Sequence, residues 1–352
     1  MSETPSKLDA FMSKMLADMG AAASGALVVV GDKLGLYKAL ADSSPLTPGE
    51  LAAKTGTAER YVREWLAAQA AAGYVEYDAT GGRYSMNPEQ ALALANENSP
   101  VFVAGAFEVV ASMFKDEPKI SDAFRTGRGV GWHEHSQCLF RGTERFFRAG
   151  YAAHLVQEWL PALDGVVDKL QRGAHVADVG CGHGASTIVM AKAFPNARFT
   201  GFDYHAPSIE RARLAARDAG VEANCTFEIA GAASFPGNHF DLVAFFDCLH
   251  DMGDPVGVSR HVREALAPDG VWMVVEPFAG DSVAENLNPV GRIFYAASTM
   301  VCVPASLSQE VGLALGAQAG EARLREVITS AGFTRCRRAT ATPFNLVLEA
   351  RP

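Results

Sequence analysis

From about residue 166 onward the chain alternates strand-like and helix-like segments, and that alternation leaves few folds open. Strand patterns fall near residues 174–180, 198–203, 224–229, 240–247 and 270–276, with helical patterns near 184–193, 206–219 and 256–266 between them. A parallel sheet with helices on both faces is the expected result. Sheets of this kind bind ligands beyond the carboxyl ends of their strands, near the switch point in strand order. The motifs that carry chemistry in this sequence fall at those ends.

The first strand runs into "HVADVGCGHGAST". Gly180, Gly182 and Gly184 remove the side chains that would hold a ligand away from the backbone, and the helix that follows presents free N–H groups. Taken alone the loop is ambiguous, because Gly180, Gly182 and Ala185 also fit a dinucleotide fingerprint. Its surroundings are more specific. "FTGFDYH" sets Asp203 at the end of the second strand, where a carboxylate accepts both hydroxyls of a ribose. Asp178, just before the glycines, adds a carboxylate suited to an ammonium group rather than a diphosphate. Together they favour an amino-acid nucleoside.

The N-terminal part follows a different pattern. Residues 8–40 have helical spacing, and "LTPGELAAKTG" begins a helix with Thr47 as N-cap, Pro48 at the first helical position and Glu50 closing a capping box. A helix from Ala58 to about Ala71 follows, and "GYVEYDATGGRYSM" reads as two short strands joined at Gly81-Gly82. Helix, turn, helix and two-stranded wing make a winged helix. Residues 47–90 carry six acidic side chains against four basic ones, a net of −2, whereas a DNA reader needs a basic recognition helix and wing. The long apolar helices ahead of the unit suit self-association, so a homodimer is expected.

A formal net charge of −9 on 352 residues also argues against nucleic acid as a partner. The six cysteines form no C-x-x-C pair, which fits a reducing compartment. Glu3, Asp9 and Asp18 sit where a signal peptide would be basic, and "GALVVVG" at 25–31 is too short to span a membrane. A cytoplasmic protein without a membrane partner is expected.

These motifs resemble the class I S-adenosylmethionine-dependent methyltransferases. "VADVGCGHG" is similar to their first motif, "GFDYH" to their ribose-binding motif, and "FDLVAFFDCLHDMGDP" and "LAPDGVWMVVEP" to their fourth and fifth strands; "GFTRCRRATATPFNLVLEARP" resembles their two closing strands. With the winged helix ahead, the whole chain resembles the small-molecule O-methyltransferases that dimerise through such a domain, in a bacterial branch that writes "GFDYH" and "FDCLHDM" this way. The resemblance implies an α/β fold: a Rossmann-like sheet of seven strands, the last antiparallel, behind a helical winged-helix domain. It implies a dimerisation domain over residues 1–100, a helical linker and active-site lid over 101–165, and a cofactor-binding domain over 166–352.

The resemblance also assigns roles. S-adenosylmethionine, leaving as S-adenosylhomocysteine, is expected against Asp178, Gly180, Gly182, Gly184, Asp203, Tyr204, Gly231, Ala232, Ser234 and Asp247. Ala232 stands where relatives often hold the adenine amine with an acidic residue, so backbone groups or Ser234 must serve. "CLHDM" matches the family's base motif at His250 and Asp251, with Met252 in place of Trp, and Glu276 falls where a carboxylate orients the histidine. Imidazole suits a phenol or similar hydroxyl near neutral pH. Phe147, Tyr151, Phe294, Tyr295 and Cys302 are the candidates for an apolar acceptor pocket. His133, Glu134 and His135 in "GWHEHSQC" offer too few ligands for tetrahedral zinc, and no metal site is expected. Two other functions stay open: base-free transfer to sulfur or nitrogen, and a cofactor-sensing transcription regulator.

Overall fold

The structure is a computed structural model that describes residues 6–352, so Glu3 lies outside the described residues. The chain forms two compact units: residues up to 112 with 138–149, and residues 113–137 with 150–352. The segment expected to link the domains, 101–165, is thus divided between them.

In the first unit a helix runs over Lys7–Lys33 and stops where Gly35 adopts φ +67°, after which Leu36–Ala41 continues in a new direction. The expected single helical stretch over 8–40 is therefore broken by one left-handed residue. The capping box forms as the sequence implies, with Thr47 accepting from the Glu50 N–H and Glu50 reaching back to the Thr47 N–H, ahead of helix Pro48–Thr55. Helix Glu59–Ala71 and the hairpin of β1 (Glu76–Asp78) and β2 (Arg83–Ser85) complete the winged helix. Its core is Val28, Tyr37, Leu40, Leu51, Trp65 and Leu66 with their neighbours. Gly31 is required there, because an added Cβ would lie 2.3 Å from the Trp65 ring. Three of the four basic side chains of residues 47–90 pair with carboxylates, Arg63 with Glu59, Arg60 with Glu64 and Arg83 with Glu50, while Lys54 bonds to Ser43 Oγ.

The stretch 25–31 belongs to a 27-residue helix, within which an 18-residue window has a mean hydropathy of 1.3. That helix and Pro289–Leu307 have the length and composition of membrane spans. In the first, Leu8, Phe11, Met12, Leu16 and Met19 are exposed.

The second unit holds the seven-stranded sheet. Its strands are β3 (His175–Val179), β4 (Arg198–Asp203), β5 (Cys225–Ile229), β6 (Phe240–Phe246), β7 (Leu266–Pro277), β8 (Arg335–Ala341) and β9 (Asn345–Arg351). Their order is β5-β4-β3-β6-β7-β9-β8. β3 to β7 are parallel, and β9 enters antiparallel between β7 and β8. β6 and β7 are buried on both faces, as their nearly unbroken apolar sequences require. The order reverses between β3 and β6, the switch point at which sheets of this kind bind ligands, and the glycine loop and the "CLHDM" turn follow these two strands.

Candidate active site

At the end of β3, Gly180, Gly182 and Gly184 all take positive φ, +75°, +52° and +80°. A Cβ on Gly180 would also come within 2.9 Å of Cys248 Sγ, and one on Gly184 within 2.6 Å of the Phe227 ring. Gly180 and Gly184 are thus held to glycine by both backbone and space and Gly182 by its backbone alone, and the loop leads into helix Ala185–Ala193.

Asp178 lies under this loop, almost fully buried. Its Oδ2 accepts from Ser186 Oγ at 2.7 Å and Thr187 Oγ1 at 2.6 Å, while Oδ1 is buried with no hydrogen-bond partner among the described residues. Burial pushes its carboxyl up to about 6, against the lowering effect of the two hydroxyls. An orphaned acceptor of this kind fits an incoming ammonium. Asp203, at the end of β4, accepts from the Gly182 N–H at 3.0 Å and the His205 N–H at 2.8 Å, one on each oxygen. Each oxygen retains a lone pair, enough for the two hydroxyls of a ribose. Burial raises its pKa as well. These features fit the amino-acid and ribose portions of S-adenosylmethionine.

Tyr204 follows with its ring half exposed and edge-on to His133, 6.2 Å between centroids. Beyond β5, Gly231 and Ser234 close a turn through a 3.0 Å backbone bond, with Ala232 packed against the core and Ser234 exposed. Asp247 ends β6 at φ +52°, a left-handed conformation that costs energy for a residue with a Cβ. Its carboxylate is held on both sides, by Asn345 Nδ2 at 3.0 Å and by the Tyr151 hydroxyl at 3.4 Å. Burial, and then the charge of Glu276, raises its pKa well above the carboxylate range.

His250 sits in the short turn Leu249–Asp251, buried beside β7. Its Nδ1 is bonded to Glu276 Oε2, and the other Glu276 oxygen accepts the Leu249 N–H at 2.9 Å. One buried carboxylate therefore fixes both the ring and the backbone that carries it. Asp251 Oδ1 lies 3.1 Å from Nε2, and Cys302 Sγ is close to both. Burial lowers the pKa of His250, but the charges of Glu276 and Asp251 outweigh it and hold the ring well above the ordinary histidine range.

Of the acceptor-pocket candidates, Cys302 is buried against His250, and Tyr151 meets Asp247. Phe294 is buried and Tyr295 half-buried on helix Pro289–Ala297. Phe147 belongs to the first unit, packed edge-on against Phe146. His133, Glu134 and His135 diverge: His133 faces Tyr204, Glu134 accepts the Gly131 N–H at 2.6 Å, and His135 pairs with Asp116 at 3.2 Å. Ser186, Thr187 and Asn345 were not singled out from the sequence. The first two were legible in "GAST" directly after the glycines, whereas Asn345 is brought in only by the antiparallel β9.

Residues 170–331 match the methyltransferase-domain family, and residues 22–96 match the Rv2258c-like winged HTH domain. The chain is 32% identical over 131 residues to 27-O-demethylrifamycin SV methyltransferase of Amycolatopsis mediterranei, covering 35% of this chain and 48% of that protein. It is 37% identical over 110 residues to trans-aconitate 2-methyltransferase of Paracidovorax citrulli, covering 31% and 40%. The matches thus span less than half the length of these curated relatives. The fold is similar to that of human N-acetylserotonin methyltransferase in complex with S-adenosylmethionine, with a TM-score of 0.72, 18% identity and coverage of 100% and 99%. Residues 170–331 thus match a methyltransferase domain and residues 22–96 an Rv2258c-like winged helix, and the fold is that of solved methyltransferases.

Proposed function

We propose that this chain is an S-adenosylmethionine-dependent enzyme that methylates a hydroxyl oxygen of a small organic acceptor, with His250 as general base. The observation that carries the reading is the buried His250–Glu276 pair beyond β6. With Nδ1 committed to Glu276, Nε2 is the nitrogen left to take the acceptor's proton, and an arriving hydroxyl displaces Asp251 from it. S-adenosylmethionine, when bound, supplies a methyl group already activated by its sulfonium. Asp178 and Asp203 hold its amino and ribose groups, and the turn Leu249–Asp251 aligns the acceptor. With the methyl group supplied by the bound cofactor, His250 Nε2 would take the acceptor's proton and hold it while Glu276 stabilises the charged ring. That one relative is named for an O-demethylated substrate agrees with a hydroxyl acceptor.

A second reading has its own support. The two carboxylates around His250 favour its protonated form, and an imidazolium cannot act as a base. Sulfur or nitrogen acceptors, aligned but not deprotonated, then become the better substrates. A cofactor-sensing regulator gains little from the paired arginines of the winged helix.

The protein is further proposed to work as a cytoplasmic homodimer: its six cysteines are free thiols, and the exposed apolar face of Lys7–Lys33 calls for a cover. A metabolite screen for S-adenosylhomocysteine release tests the enzymatic reading. Release with a hydroxyl-bearing acceptor supports it, whereas salt-dependent binding to duplex DNA without turnover favours the regulator.

A further inference from the structure

Three side chains with metal-binding atoms converge beyond β6. His250, Asp251 and Cys302 each place one ligand atom within 4.8 Å of the others, and the histidine and cysteine are buried. Zinc bonds of about 2.0–2.3 Å set tetrahedral ligand atoms about 3.3–3.7 Å apart. The His250 Nε2–Asp251 Oδ1 separation is already 3.1 Å, and Cys302 Sγ lies within 4.8 Å of the ligand atoms of both.

Two observations point to an ion rather than to chance proximity. Asp251 Oδ1 is buried and, despite lying close to the ring, makes no hydrogen bond among the described residues. Buried acceptors are rarely left so. Glu276 binds the far nitrogen of the ring, the arrangement that orients metal-ligating histidines and fixes their tautomer. The nitrogen, oxygen and sulfur donors suit a zinc-type ion rather than magnesium or calcium, and three protein ligands leave a fourth position open. Cys302 itself ends the π-helical segment Ser298–Cys302, an irregularity of the kind frequently found at functional sites.

We propose that His250, Asp251 and Cys302 bind a thiophilic divalent cation of the zinc type, and that the bound ion blocks proton uptake by His250. The blocking half rests on the reading of His250 as base; the binding half does not. On binding, Cys302 Sγ loses its proton to solvent and a metal–thiolate bond forms. Nε2 then gives its lone pair to the ion and can no longer take a proton.

The test titrates metal-free, full-length protein with Co²⁺ and Zn²⁺ against a chromophoric chelator, with and without S-adenosylmethionine. One zinc per chain and a thiolate-to-cobalt charge-transfer band are expected. Cys302→Ala and Cys302→Ser should both lose the band, and Glu276→Gln should weaken zinc binding by about tenfold to a hundredfold. Retained S-adenosylmethionine binding shows that a variant is folded, and the serine variant preserves the packing if the alanine variant does not fold. Absence of the band in the wild type, or equal zinc affinity in wild type and both Cys302 variants, overturns the site. Once an acceptor is known, zinc should lower turnover and chelator should restore it. Zinc that binds at Cys302 without lowering turnover overturns the blocking and counts against the base while leaving the site. No zinc binding, together with a turnover loss in His250→Ala, overturns the site and leaves the base reading standing.

Discussion

Asp203 reaches across the glycine loop to accept the N–H of Gly182 at 3.0 Å, so the residue expected to hold the ribose also holds the loop beneath the cofactor. Asp203→Ala should therefore weaken S-adenosylmethionine binding by about 1.5–3 kcal/mol, the range for a hydrogen bond to a charged group. Calorimetry on the folded variant measures this, and unchanged affinity would reject the site as drawn. NAD titrated in parallel should bind neither protein.

If Asp178 holds the cofactor's ammonium as proposed, cofactor binding should depend on pH. Its carboxyl is pushed up to about 6 by burial, and the protonated form offers no charge to an ammonium. Affinity should rise as pH increases through about 6 and level off above it, and Asp178→Asn should flatten the profile. The stability of the cofactor-free protein should move the other way. The folded pKa lies above the unfolded one, so the unfolded chain releases its proton first, and this group's contribution to stability declines between about pH 4 and 6. Thermal unfolding with and without cofactor across that window separates the two trends.

His250→Ala should lower turnover by about a hundredfold to ten-thousandfold while leaving S-adenosylmethionine affinity nearly intact. Glu276→Gln should cost less, since it weakens the orientation of the ring without removing it. Steady-state kinetics beside calorimetry make the comparison. Turnover that survives in the alanine variant would move the assignment to a sulfur or nitrogen acceptor.

On the Lys7–Lys33 helix, Leu16 is 69% exposed and Met12 54% exposed. Replacing both with Asp should convert a dimer to a monomer with little effect on helix content, as read by light scattering and circular dichroism. A full-length monomer would remove the dimer proposal, and sedimentation of the wild type with lipid vesicles would redirect the helix to a membrane.

What was legible in the sequence was mostly local. The Thr47–Pro48–Glu50 cap, the Gly81-Gly82 hairpin turn, the glycine loop and the strand ends at Asp203 and Asp247 depend on neighbours a few residues away, and the structure has the elements where the pattern places them. β7 starts at Leu266 rather than 270, because "APDG" has the composition of a turn yet is drawn into an irregular pairing with β6. Gly35 breaks a helix whose apolar spacing continues past it. The placement of Cys302 against His250 and of Asn345 against Asp247 depends on how distant segments pack, and no periodicity records that. Which residues play the proposed roles is decided by the experiments above.

The pairing of β6 with β7 has a consequence for how this domain can fail. Phe246 is in register with Val275, and the Asp247 N–H bonds to the Val275 carbonyl at 2.7 Å, so His250 and Glu276 are brought together by the ladder just before them. Side chains along a strand alternate between faces, and a one-residue slip of β7 turns Glu276 away from the ring. Asp178 and Asp203 hang from β3 and β4 and do not share that register. On the proposed roles, a single deletion between Gly270 and Val275 would leave a protein that still grips the cofactor but has lost the pair beside the acceptor: a holder of S-adenosylmethionine rather than a user of it.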